Sequence, residues 1–323
     1  MAMFTTDQAD VKAVTVVVAQ DGSGDFNGTT TQAIQDAIDF GGEGSKIFVR
    51  EGSYLVTGTI TIPYDYVEID GVYGGTLLLV GADLTVFYAT GDGFTLKNFF
   101  IYGPFSLGVT PSGTQYCVRV ESAGSQMIAV VVINAMGTGF YMDADAGIFN
   151  GSQAYGCGAD GLYVDCVGMP ISFGILQTNV GYGIRFSATT TTVGISLSQI
   201  NANYGGGVFM NGVEDGFVLD SYISYNAVDG LTLLNCEQIA ITNTIIEGNT
   251  RYGLLCENST NCIFLGNIIG IGFYLIPVAQ AYGLVETGTS DYNVIQANSF
   301  YQNTTANLTV GGGNTLSFGN GDW

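Results

Sequence analysis

Three carboxylates recur at one spacing in this chain: Glu121, Asp143 and Asp165, each 22 residues from the next. Two positions before them stand Arg119, Tyr141 and Tyr163, and the same 22-residue step leads on to Arg185. Equal offsets in a repeating chain stack side chains in columns. If each repeat contributes one strand to a parallel sheet, neighbouring carboxylates lie about 4.8 Å apart. Like charges that close resist simultaneous ionisation, so such a row raises a pKa, pairs with Arg, or holds a cation such as Ca²⁺. Carboxylates on adjacent repeats match the separation of about 5 Å used in retaining glycoside hydrolysis. Those two repeats apart, at about 9.6 Å, fall near the upper limit for inversion.

The other chemistry open to the row is β-elimination from a uronate polymer. There an Arg acts as base or neutralises the sugar carboxylate, and Ca²⁺ on Asp or Glu assists. The expected roles follow. Glu121, Asp143 and Asp165 are the acid/base candidates, with Asp143 and Asp165 also the candidate Ca²⁺ ligands. Arg185, ahead of Arg119, is the candidate base or uronate clamp. Tyr141, Tyr163 and Phe209 offer flat faces to sugar rings. Simple packing competes with all of this. Outward Tyr and Arg on a sheet also pack against each other, and outward carboxylates are ordinarily just solvated.

The row needs a scaffold with a fixed period, and the chain has one. GFYMD, GLYVD, GIRFS, GVFMN, GLTLL and GLLCE begin at Gly139, Gly161, Gly183, Gly207, Gly230 and Gly253, in steps of 22, 22, 24, 23 and 23 residues. Such a period marks a solenoid, in which no single coil buries its own apolar face. Apolar residues alternate after each Gly (Phe140 and Met142, Leu162 and Val164, Ile184 and Phe186), as in a strand with one buried face. Asn179, Asn203, Asn226 and Asn249 each lie four residues before a repeat Gly. Leu176, Ile200, Ile223 and Ile246 lie three residues before those Asn. The Asn column is expected to bond coil to coil and the aliphatic column to be buried. Asp145, Asp160, Asp215 and Asp229 fall near turns and are expected to serve them.

Composition narrows the partners. Across 323 residues there are 7 Lys plus Arg against 28 Asp plus Glu, a net charge of −21. Binding to nucleic acid or to an anionic membrane surface needs basic clusters, and this chain has none. No apolar run approaches the length that spans a bilayer. There is no His, and no two of the six Cys form a CxxC pair, so the common zinc patterns are absent.

Taken in order, residues 13–20 read as a strand, DGSGDFNG as a turn cluster, and 29–40 as a helix by the spacing of Ala33, Ile34, Ala37 and Ile38. A Thr is available as its N-cap and Gly41-Gly42 as its stop. KIFVREGSYLV, GTITIP and YVEIDG read as short strands. The run AQDGSGDF (19–26), the helix TQAIQDAID and then IFVREGSYLV resemble the N-terminal segment of right-handed parallel β-helix proteins. The pectate lyase, pectin methylesterase, polygalacturonase and phage tailspike families share this segment. The resemblance implies a helix that closes the open end of the solenoid, and a substrate groove on the outer face of the repeat strands. It stops short of any one activity. The His-containing polygalacturonase set and the Tyr-Gly-X-Asp-Pro-His motif of alginate epimerases are absent, and no methylesterase motif follows the helix.

The expectation is an all-β, single-stranded right-handed parallel β-helix with an N-terminal capping helix, forming one domain of roughly a dozen coils at about 23 residues each. Residues 1–45 form the strand and capping helix, 46–303 the coils, and 304–323 an irregular C-terminal cap. Gly270–Ala281 reads as an insertion, either a packed cover or a contact with another chain. The expected function is recognition of an extracellular polysaccharide along the 119–209 face, and its cleavage as a lyase or glycoside hydrolase. The competing class is a non-catalytic attachment or structural protein of a virion, cell surface or surface layer, with homotrimer or lattice assembly.

Overall fold

A computed structural model describes residues 14–104, 115–271 and 280–322. Strands stack into three sheets of 14, 12 and 11 members, and every paired strand runs parallel to its neighbour. Each coil passes through the three sheets in turn. Thr138–Met142 lies in the third sheet, Ile148–Asn150 in the first and Gln153–Tyr155 in the second. The eleven strands of the third sheet count the turns of a parallel β-helix, close to the dozen expected from the repeat. The aliphatic column Leu176, Ile200, Ile223 and Ile246 is fully buried within one continuous core.

The repeat glycines have a steric cause. A Cβ on Gly183 would lie 2.4 Å from Ile200 Cγ2 and 2.8 Å from Asn203 Nδ2. On Gly207 it would meet the carbonyl oxygen of Gly230 at 2.3 Å. The space beside the strand start is already filled by the Asn column and the next coil. That column is a ladder. The Asn203 Oδ1 accepts from the Asn179 N–H and Nδ2 at 3.0 and 2.9 Å, while Asn203 Nδ2 donates to Leu176 O and to Asn226 Oδ1, both at 3.0 Å. Asn226 and Asn249 repeat the pattern, and Gln280 then takes the Asn position and passes it to Asn303. A second ladder, Asn267–Asn298–Asn320, runs at another corner. It escapes a reading of spacing because 31 residues separate Asn267 from Asn298.

Turns between the first and second sheets are closed by single left-handed residues, among them Asn98, Ala129, Gly151, Phe173, Leu197 and Asn243. Each passes its N–H to the next coil, as Ala129 does to Asn150 O, so the N–H groups of these turn residues are satisfied.

The helix runs Gln32–Gly41 and buries the four apolar residues expected of it. It packs on the opening strands Thr15–Ala19, Lys46–Val49 and Ile60–Ile62, covering the first coil. Thr31 stands at the N-cap but makes no side-chain cap bond; its hydroxyl takes the Thr57 N–H instead. At the other end the expected irregular cap is not found. Ala306–Thr309, Leu316–Phe318 and Gly321–Asp322 extend the three sheets by a further coil. Glu286 fastens it from within. Its buried carboxylate accepts from the backbone N–H of Gly311 and Gly312, from Thr315 Oγ1 and from Asn293 Nδ2. The insertion 270–281 lies mostly outside the described residues. All six Cys are buried and unbridged, and burial pushes the Cys157 thiol up to about 12.

Asn203→Ala strips the Asn179 N–H and the Leu176 carbonyl of buried partners. Unmade bonds of this kind cost about 1–3 kcal/mol each, so chemical denaturation should show a loss of about 3 kcal/mol. A loss under about 0.5 kcal/mol, the range of inert surface changes, would show the ladder to be incidental.

Candidate functional site

The strand register of the third sheet builds the columns as the spacing implies. Arg119 pairs with Tyr141, Tyr141 with Tyr163, Tyr163 with Arg185, and Arg185 with Phe209. Just past these strand ends, the N–H groups of Asp143, Asp165 and Ser187 bond to Val120, Met142 and Val164 one coil back. The residues that bear the carboxylates are therefore one coil apart, a backbone spacing of about 5 Å.

The row is not uniform. At its N-terminal end Glu121 is fully engaged. Arg119 Nε donates to Glu121 Oε1 at 2.7 Å, a second guanidinium nitrogen reaches the same oxygen, and Tyr88 Oη donates to Oε2 at 2.7 Å. Burial alone would raise the Glu121 pKa, but these bonds outweigh it and hold the carboxyl below the ordinary glutamate value. Arg119 is caged in turn by three rings, with its guanidinium carbon 5.3 Å from the centre of Tyr88 and 5.7 Å from those of Tyr116 and Tyr141. Of the expected roles, sugar contact by Arg119 and acid/base work by Glu121 would each require breaking this pair.

The middle of the row is freer. Asp143 is exposed and makes no side-chain hydrogen bond among the described residues. Partial burial, then the negative charges of Asp165 and Glu121, lift its carboxyl above the ordinary aspartate value. Asp165 accepts from the hydroxyls of Ser187 and Thr189, and from Tyr141 Oη at 3.4 Å. Tyr141 and Tyr163 stack with centroids 5.6 Å apart and planes 14° from parallel. Burial and the charges of Asp165 and Asp143 push the Tyr141 phenol well up, so it stays protonated.

Arg185 closes the C-terminal side. Its guanidinium lies over Tyr163 at 5.8 Å and Phe209 at 5.9 Å, and its only ion pair among the described residues is a 4.0 Å approach to Asp160. Its side chain is 47% exposed, which makes it the least committed cation of the face. Arg251, three coils on, is clasped by Asp229 through two nitrogens and lies over Tyr252.

Asp160 and Asp229 therefore do more than serve turns. Each takes a backbone N–H from the next coil, of Tyr182 and Tyr252, and also faces an Arg. Burial raises the Asp160 pKa despite the Tyr182 N–H and Arg185. Sequence reasoning also missed Tyr88, Tyr116 and Tyr182. Tyr88 is the direct register partner of Arg119 but stands 31 residues before it, outside the regular period. Tyr116 and Tyr182 lie one residue before the Gly position, and their rings contact Tyr141 and Phe209.

For Ca²⁺ the face offers little by itself. Among the described residues no three His, Cys, Asp or Glu side chains gather as a metal site. Asp143 and Asp165 supply two carboxylates where Ca²⁺ takes six to eight oxygens.

A family profile described as a right-handed β-helix region matches residues 116–300. The chain belongs to this family. Among curated proteins no sequence relative matches. Among solved structures, the A-module of a mannuronan C-5 epimerase from Azotobacter vinelandii superposes with a TM-score of 0.74 at 15% identity, over 95% of this chain and 97% of that one. DFA-IIIase from Arthrobacter chlorophenolicus gives 0.71 at 12% identity, over 87% of this chain and 86% of its own. The Dettilon tailspike gives 0.67 at 15% identity, over 97% of this chain and 65% of the tailspike. At these identities the likeness is one of fold.

The raised Asp143 pKa fixes a sign. Ionisation of Asp143 is disfavoured in the folded chain, so a stability penalty enters as pH rises through its folded pKa. Asp143→Asn should therefore raise the melting midpoint at pH 7 and give no gain well below the aspartate reference of about 3.9. An unchanged or lower midpoint at pH 7 would contradict this picture of the row.

Proposed function

We propose that the third-sheet face from Arg119 to Phe209 binds an anionic, uronate-containing polysaccharide outside the cell and cleaves it by β-elimination. The observation that carries the reading is the placement of Arg185: an exposed guanidinium between two aromatic rings, on the column beside the Asp143–Asp165 pair. A uronate carboxylate at Arg185 is neutralised, which acidifies the neighbouring C5–H. Tyr163, Tyr141 and Phe209 support the sugar rings. Asp165, steadied by Ser187 and Thr189, takes the C5 proton; the C–H electron pair forms the C4=C5 double bond as the C4–O bond breaks. Asp143, with its raised pKa, protonates the departing oxygen. The Glu121–Arg119–Tyr88 cluster holds the entrance of the row, and the Glu121 charge adds to the burial and the Asp165 charge that raise the Asp143 pKa. Positioned acids and bases contribute about 10²–10⁴ each. A Ca²⁺ at Asp143 and Asp165 is an alternative to these acid/base roles, since it needs both carboxylates ionised; it would complete its shell from water and sugar oxygens, with Arg185 as the base.

Glycoside hydrolysis is the second reading, favoured by the placement of Asp143 and Asp165 on adjacent coils, about 5 Å apart along the sheet. The likeness to a mannuronan epimerase and a phage tailspike suits a polysaccharide ligand and a place outside the cell, on a cell surface or on a virion. No helix among the described residues is long and apolar enough to cross a membrane. An attachment protein without catalysis, assembled as a trimer or lattice, would show binding and no product.

Wild type should release unsaturated products from polymannuronate, polyguluronate or polygalacturonate, read by absorbance and reducing ends. Asp143→Asn and Arg185→Ala should each lower kcat/KM by about 100-fold or more. Reducing ends without unsaturation would select hydrolysis. No product from any of these or from neutral glycans would remove the catalytic reading, and full activity in both variants would remove the site.

A further inference from the structure

A concavity lies on the outer face of the first sheet, on a different side of the solenoid from the third-sheet columns. Its volume is about 440 Å³, within the range of about 300–1,000 Å³ for small-ligand clefts. Strand register there sets Pro170, Gly194, Phe217 and Ala240 in one outward column. Gly194 has no side chain, and the Phe217 ring leans into the space. A Cβ on Gly194 would lie 2.3 Å from the ring's Cζ. The ring therefore lies along the sheet rather than standing off it, and Phe217 is 44% exposed. Beside it Gly216 registers between the inward Val193 and Ile239, so its missing side chain faces the core and only its backbone borders the trough. The result is a trough floored by an aromatic face.

One edge of the trough is polar and regular. Thr192, Asp215 and Gln238 occupy successive left-handed positions near the starts of the strands Thr191–Ser196, Glu214–Leu219 and Glu237–Thr242, with φ of 50°, 54° and 57°. All three are exposed, and none makes a side-chain hydrogen bond among the described residues. Glu214 and Glu237, directly paired in register, precede Asp215 and Gln238. No Lys or Arg lines the trough. An anionic chain is repelled by this edge. A neutral sugar is not: its hydroxyls donate to carboxylate and amide oxygens, and its C–H face rests on an aromatic ring.

We propose that this trough is a secondary binding site for a neutral oligosaccharide, separate from the uronate face of the third sheet. It does not depend on the reaction proposed there. The probes are cellohexaose, laminarihexaose, maltohexaose and mannohexaose, titrated calorimetrically into the full chain. At least one should bind. Phe217→Ala should weaken it about three- to tenfold, the worth of one aromatic contact. Phe217→Leu keeps Gly194 covered but removes the aromatic face, so it should weaken binding likewise even if the Ala variant misfolds. Arg185→Ala should leave it unchanged. Absence of binding by all four probes, undiminished binding in Phe217→Leu, or loss of binding in Arg185→Ala would each overturn the proposal.

Discussion

Everything in this molecule depends on coil-to-coil register. A parallel coil bonds only to the coils before and after it, and its turns leave donors and acceptors that strands do not satisfy. The Asn179–Asn203–Asn226–Asn249 ladder satisfies them at one corner and fixes vertical alignment there. The same ladder explains the repeat glycines, since a Cβ would collide with the Asn amide and the next carbonyl. With alignment fixed, a residue's column is set by its offset within the coil. Side chains 22 residues apart then become neighbours at strand spacing.

That constraint also sets the electrostatics. Stacking forces Glu121, Asp143 and Asp165 together although they repel. The repulsion is relieved at one end only, where Arg119 and Tyr88 engage Glu121. Asp165 is eased by three hydroxyls, and Asp143 is left to absorb the remainder as a raised pKa. Arg185 escapes full pairing because Asp160 is also held by the Tyr182 N–H and approaches no closer than 4.0 Å. The contrast with Arg251, clasped by Asp229 through two bonds, shows what a structural pair on the same sheet looks like.

The regular coils were legible in the sequence because their period hardly varies, and the Arg, Tyr and carboxylate columns came with them. Residues outside the period were not. Tyr88 and the Asn267–Asn298 step are each displaced by a 31-residue coil. The last coil was hidden because Gly-rich sequence resembles a loose tail, although Asn320 sits 22 residues after Asn298. Nor could spacing rank the carboxylates. Glu121, Asp143 and Asp165 share one offset, and only their neighbours, Tyr88 from an irregular coil and Ser187 with Thr189 from a later turn, separate an engaged carboxyl from a free one. Asp160 reads as a turn residue from the Gly after it; its facing of Arg185 appears only once coils are stacked.

The central claim is that uronate-binding chemistry is confined to one stretch of the third sheet. Hydrogen exchange with a saturating hexauronate, mannuronate or galacturonate, tests it most directly. The account expects slowed exchange in the strands Tyr116–Val120, Thr138–Met142, Leu162–Val164 and Tyr182–Phe186 and the turns that follow them. It expects none in second-sheet strands such as Gln153–Tyr155. No protection on the third sheet, or protection centred on another sheet, would contradict it.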